Sequence, residues 1–136
     1  MYHLTFLLFV VLFFNLNMNW FSDGINDEWT ALSDQAQLEV IIQESDTIPV
    51  IIYKHSTRCG LSTMTKNILD KNWGELRSHV KLYYLDLLRY RDVSNMIAES
   101  FKVRHQSPQI LIIKKRQSVY DASHNNIKVK SILENL

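Results

Sequence analysis

Two textures of hydrophobic residues organise the chain. In "PVIIYK", Pro49 to Lys54, β-branched and aromatic residues follow one another almost without a polar break, the pattern of a strand covered on both faces. In "RDVSNMIAESF", Arg91 to Phe101, the apolar residues Val93, Met96, Ile97 and Phe101 recur at helical spacing and define one buried stripe. The same reading predicts a first helix over "SDQAQLEVIIQES", with Ala36, Leu38, Val40, Ile41 and Ile42 on a partial stripe and Ser33 as its cap. It predicts a second over "GLSTMTKNILDKNW", where Leu61, Met64, Ile68 and Leu69 are spaced three or four apart. "VKLYYLDL", Val80 to Leu87, reads as a strand. Pro108 introduces another over Gln109 to Lys115, joined through Lys115 and Arg116 to "QSVYDA" as a β-hairpin. A closing helix follows in "SHNNIKVKSILENL", with Ser123 as N-cap, Ile127, Ile132 and Leu133 on its apolar side and Val129 near the edge. With a short strand near Trp29 to Leu32 in front, the order is α-β-α-β-α-β-β-α. Its first part suits a right-handed parallel βαβ unit and its last part an antiparallel hairpin backed by a helix, giving three layers around a small mixed sheet.

Composition narrows what such a fold could do. The 136 residues, 46% of them hydrophobic, suffice for one core. A formal charge of +1, from 15 basic and 14 acidic residues, lacks the electropositive footprint that nucleic-acid binding requires. One cysteine excludes an internal disulfide and a Cys-rich zinc site, and the five histidines show no metal-ligand spacing, so no metal is expected.

The N-terminus carries Leu4 to Phe14, apolar apart from Thr5 and about half the ~20 residues of a membrane-spanning helix. No Lys or Arg precedes it; the first is Lys54. Residues 1–17 therefore read as an apolar leader or as sequence upstream of a true start at Met18, with the folded domain over 18–136. A lone thiol fits the cytoplasm; association with a membrane through residues 4–14 is the alternative.

The chemistry concentrates at "IPVIIYKHSTRCGLSTMTKNIL", Ile48 to Leu69. Cys59 falls where the strand gives way to the helix, so its sulfur is expected at the helix N-terminus, beside unpaired N–H groups and the positive end of the dipole, a setting that favours an anion. Arg58 is adjacent, and Lys54 and His55 occupy the strand exit, so the surroundings are expected to be electropositive. Gly60 opens the helix, and Ser62, three residues beyond the cysteine, is placed to turn its hydroxyl or N–H toward the sulfur. A serine there can donate a hydrogen bond but cannot resolve a disulfide. Cys59 could thus attack a partner's disulfide and hold one thiol adduct, with release left to an external thiol. Tyr53, Trp29 and Trp73 read as packing residues, and Pro108 as the start of a strand.

From these residues the chain, over about 27 to 136, resembles the thioredoxin-like superfamily. "PVIIYKHSTRCGLS" looks like the strand and active-site turn of glutaredoxin-type proteins, in a monothiol CxxS form of CxxC. "SPQ", Ser107 to Gln109, looks like the cis-proline loop of that fold. More narrowly, "YKHSTRCGLS", "HQSPQ" and "ASH", Ala122 to His124, together resemble the YtxJ type of monothiol bacilliredoxin. The resemblance implies an α/β thioredoxin-like fold, with a central mixed sheet of four to five strands flanked by helices. It also implies removal of bacillithiol, or a similar low-molecular-weight thiol, from mixed disulfides on other proteins. Cys59 would be the nucleophile and the small thiol a co-substrate, with no bound cofactor. Ser107, Pro108, Ser123 and His124 would frame the thiol groove by position. The expected partners are S-thiolated client proteins and the small thiol, with the chain acting as a monomer. Two other readings stand beside this one. The first is a non-catalytic thioredoxin-like adaptor. The second is an arsenate-reductase-like enzyme, since "RCGLSTMTKNIL" echoes that family's helix start, although only Arg104 stands before Pro108 where an arginine motif is wanted.

Overall fold

The computed structural model describes residues 29–136; the leader, the proposed start at Met18 and most of the polar segment after it lie outside the described residues. Strand β1 is short, Thr30–Ala31, and is followed by α1 (Ala36–Glu44), β2 (Val50–His55), α2 (Gly60–Asn72) and, after a 3-10 turn, β3 (Lys81–Asp86). Then come α3 (Arg91–Phe101), β4 (Gln109–Lys114), β5 (Gln117–Ser123), a second 3-10 turn (His124–Asn126) and α4 (Val129–Glu134). The sheet order is β1-β3-β2-β4-β5. β3 runs parallel to both β1 and β2, whereas β4 is antiparallel to β2 and to β5. This five-stranded mixed sheet with four helices is the thioredoxin-like fold.

The continuous apolar run of β2 is explained by its central place: all six of its residues are buried. Alternation across the pleat divides its side chains between two cores. Val50 and Ile52 face α1 and α3, packing with Leu38, Ile41, Val93, Ile97 and Phe101. Ile51 and Tyr53 face α2 and α4, packing with Leu69, Trp73, Trp29 and Ile132. The two tryptophans and Tyr53 form one aromatic group, with Trp29 lying 5.8 Å from Trp73 and 6.0 Å from Tyr53 between ring centroids.

Several local expectations are corrected. Ser33 does not cap α1: Asp34 Oδ1 accepts the Ala36 N–H at 2.8 Å, and Gln37 Oε1 accepts the N–H groups of Ser33 and Asp34 at 2.7 and 3.0 Å. The longer amide reaches back to donors that a serine would otherwise serve. Ser123 does not cap the closing helix either; it is the last residue of β5, and α4 begins only after Lys128. On that helix Ile132 is buried, but Leu133 is 42% exposed. The largest shift concerns α2, whose buried positions are Ser62, Thr65 and Leu69, while Met64 and Ile68 are 55% and 49% exposed. Two small polar residues occupy the inner face where the apolar spacing had placed a different stripe.

Candidate functional site

Strand register assembles the site before any side chain is considered. Lys54 of β2 stands opposite Gln109 of β4, His55 is in register with Asp86 of β3, and Gln109 is in register with Ser123 of β5. The exits of β2, β3 and β5 and the start of β4 therefore share one end of the sheet. The turn carrying Cys59 and the loop carrying Ser107 and Pro108 both grow from that end. The Ser107–Pro108 peptide is cis and Pro108 is buried. The His124 N–H donates to the Pro108 carbonyl at 3.0 Å, which ties the exit of β5 to the proline loop.

Cys59 is the N-cap of α2, with an extended backbone (φ −108°, ψ 113°). Its N–H donates to Ser56 O at 3.1 Å, closing the turn out of β2, and its carbonyl accepts the Thr63 N–H at 3.2 Å, the first bond of the helix. The thiol is free and partly exposed. Gly60 follows at the surface, and a Cβ built there would meet no atom of residues beyond its chain neighbours within 4 Å, so the space over Gly60 is open.

Ser62 is placed otherwise than expected. It is fully buried, and its Oγ accepts the Ser56 N–H at 3.1 Å and lies 2.7 Å from His55 Nδ1. The Tyr53 hydroxyl, 3.4 Å from that Oγ, donates to the Ser62 carbonyl at 2.7 Å. The Ser62 hydroxyl is therefore committed to the helix start and to His55 rather than to the sulfur. Burial lowers the proton affinity of His55 below the ordinary 6.5, Asp86 opposes that, and Lys66 adds to it. The same burial holds the Tyr53 hydroxyl protonated, up to about 12. Asp86, on the same face, keeps a buried Oδ1 without a hydrogen-bond partner.

The expected cluster of cations beside the thiol is also revised. Lys54 and His55 are consecutive strand residues and so leave β2 on opposite faces. Lys54 goes to the α1/α3 side and is fully buried, with its Nζ 2.6 Å from His105 Nδ1 and donating to Gln109 Oε1 at 2.9 Å. Burial alone lowers its proton affinity, from 10.5 to about 8. His55 is 6% exposed and turned to Ser62. Of the three cations expected, Arg58, adjacent in sequence to Cys59, is the one at the surface.

Ser107 carries a buried Oγ with no partner. Ser123 and His124 line an open, polar groove with Gln106, Asn125 and Asn126; Cys59, Ser107 and Pro108 do not line it. Among the described residues no group of His, Cys, Asp or Glu is arranged to hold a metal ion, and no helix is long and apolar enough to cross a membrane. Several participants escaped the sequence reading: Gln109, His105, Asp86, and the Tyr53 hydroxyl. The one available signal was a lysine continuing an apolar run whose neighbours are all buried.

The family model for monothiol bacilliredoxin BrxC matches residues 30–132. The chain belongs to the monothiol bacilliredoxin family. BrxC proteins are thiol-disulfide oxidoreductases, and membership implies bacillithiol as co-substrate. A solved protein described as having a thioredoxin fold is 30% identical, with a TM-score of 0.68 over 77% of this chain and 90% of its own. Mitochondrial thioredoxin 3 of Saccharomyces cerevisiae, in its oxidized form, is 17% identical with a TM-score of 0.63 over 79% and 95% of the two chains. Fasciola hepatica thioredoxin is 18% identical, also at 0.63, over 78% and 98%. These two share the fold. For a bacilliredoxin, the burial of Ser62 gives the monothiol form a structural reason: the hydroxyl fills a hydrogen-bonding position beneath the turn that carries Cys59.

Proposed function

We propose that this bacilliredoxin removes bacillithiol, or a closely similar small thiol, from mixed disulfides on S-thiolated proteins, acting as a monomer in the reducing cytoplasm. The Cys59 thiolate attacks the small-thiol sulfur of the mixed disulfide. The new S–S bond joins Cys59 to the small thiol, while the old one breaks and its electron pair leaves with the client's sulfur, which then takes a proton. A second small-thiol thiolate attacks the Cys59-bound sulfur, releasing the symmetric small-thiol disulfide and restoring Cys59. Each step exchanges one disulfide for another and needs no bound cofactor.

The single observation carrying this reading is the placement of the lone thiol. Cys59 is partly exposed at the extended N-cap of a thirteen-residue helix, with open space over Gly60 and the exposed Arg58 adjacent to it in sequence. Ser107, Pro108 and the β5 exit at Ser123 and His124 are the groups offered to the small thiol. The test is intact-mass analysis after mixing with a bacillithiolated protein of known stoichiometry. The expected result is loss of one bacillithiol from the client and gain of the same mass on Cys59, abolished in Cys59→Ser. A client that keeps its bacillithiol while Cys59 stays unmodified would refute exchange and leave an adaptor role.

A further inference from the structure

Lys54 has no part in the exchange chemistry just described, yet it is a fully buried ammonium near the exit of the central strand, and among the described residues no carboxylate is bonded to it. A buried cation without a counter-ion is costly, and an apolar side chain of similar volume would be better tolerated there. What the lysine contacts suggests why it is present. Its Nζ bonds Gln109 Oε1 and meets His105 Nδ1. Gln109 spends its remaining capacity on the loop in front of it: Nε2 donates to Arg104 O at 3.0 Å, and Oε1 also accepts the Gln106 N–H at 3.3 Å. His105 Nδ1 in turn lies 3.3 Å from Ser94 Oγ of α3. Burial, and then Lys54 and Arg91, lower the proton affinity of His105; because an ammonium only donates, Nζ is the donor and Nδ1 the acceptor at 2.6 Å.

We propose that Lys54 is a positioning residue for the Ser107–Pro108 side of the site, fixing residues 104–107 through Gln109 and His105 so that the proline loop is held at the end of the sheet that carries Cys59. One side chain thus links the strand that leads into the thiol turn, the helix α3, and the proline loop at the same end of the sheet. The ammonium suits the task because it can donate to two acceptors at once from a compact head, whereas its place on the face away from α2 keeps it out of contact with the sulfur side.

The functional consequence rests on the exchange reading; the positional one does not. In the full chain, Lys54→Met is compared with Ile52→Val, a change on the same strand and face that loosens packing without touching the loop. Hydrogen exchange followed by mass spectrometry reads the amides of residues 104–107 and 109, and steady-state transfer from a bacillithiolated protein reads KM and kcat. Lys54→Met is expected to speed exchange of the loop amides about tenfold while those of β2 and β3 keep their native protection. It is also expected to raise KM about tenfold with a smaller change in kcat. Ile52→Val should leave the loop protected. Native loop protection in Lys54→Met, or a loss of protection spread equally over β2 and β3, would overturn the proposal. If the native protein transfers nothing, the exchange reading fails, and the hydrogen-exchange comparison alone decides the role of Lys54.

Discussion

The burial of Lys54 makes stability depend on alkaline pH in a direction opposite to the usual one. An unfolded chain releases a lysine proton at an ordinary 10.5, whereas in the folded protein burial brings Lys54 down to about 8. Below pH 8 both states carry the charge and the folded state bears the full cost of burying it. Between 8 and 10.5 the folded lysine is neutral while the unfolded one still binds a proton, so stability rises with pH. At about 1.4 kcal/mol per pKa unit the whole effect is on the order of 3 kcal/mol, most of it gained by pH 10. Three tyrosines act the other way but later. Tyr53, Tyr83 and Tyr84 keep their protons to about 12 in the folded state against an ordinary 10, so the stability they contribute is intact below pH 10 and is lost as pH rises through 12. The window from 7.5 to 10 therefore isolates the lysine. Urea unfolding midpoints across it should climb in the native protein, and Lys54→Met should flatten the climb and be at least as stable as native at pH 7.5. A pH profile identical in the two proteins would show that Lys54 holds its proton normally and that the cation is not desolvated.

Two further outcomes follow from the hydrogen bonds beneath α2. Ser62→Ala leaves the Ser56 N–H and His55 Nδ1 without their shared partner and should cost about 1–3 kcal/mol; a double-mutant cycle with His55→Phe should give a coupling on the order of 1 kcal/mol, and strict additivity of the two urea-unfolding changes would sever the link. On the acid side, His55 has a proton affinity lowered from 6.5 by burial, so the unfolded chain protonates first and stability should fall as pH drops below 6.5. His105 is shifted the same way, mainly by burial and then by Lys54 and Arg91, so His55→Phe should weaken the acid limb of the unfolding curve without removing it, and an unchanged limb would count against a neutral His55.

Much of the architecture was legible because its elements have unambiguous periods. The apolar residues of Arg91–Phe101 bound α3 to the residue, and Val93, Ile97 and Phe101 all reach the core. The run Val50–Tyr53 could only be a strand buried on both sides, and it is the central one. The reading went wrong where polar residues took inward positions. Ser62 and Thr65 are buried on α2 because their hydroxyls and small volume suit the region beside His55 and Tyr53, and that choice displaces Met64 and Ile68 to the surface. No hydrophobicity count can foresee a buried serine whose value lies in three hydrogen-bonding neighbours from β2 and the turn that follows it. The hairpin turn is a second case: Lys115 and Arg116 both adopt positive φ, 50° and 69°, without the Asn or Gly that such turns favour. What supports them is distant in sequence, with the Lys115 N–H on Ser45 O, the Arg116 N–H on Ser45 Oγ and the Arg116 guanidinium on Asp46. At the site, the strand-to-helix junction expected around Cys59 is present, whereas Lys54 lies elsewhere than expected, because strand pleating, which sends it away from His55, matters more than adjacency in sequence.

The absence of a second cysteine acquires a physical meaning from the same hydrogen bonds. A thiol at position 62 could offer the Ser56 N–H only a weak acceptor and His55 only a weak donor, so the turn that presents Cys59 would lose part of what closes it. The serine makes these bonds at 3.1 and 2.7 Å, and Tyr53 fixes the backbone of the same residue from below. Under the proposed exchange, with the hydroxyl committed inward and no second thiol on α2, the lifetime of an adduct on Cys59 would be governed by the concentration of the external thiol. Transfer from a loaded Cys59 should accordingly be first order in added small thiol across the accessible range. A release rate that reaches a plateau set by the protein itself, in intact-mass time courses, would mean that a group within the chain discharges the adduct.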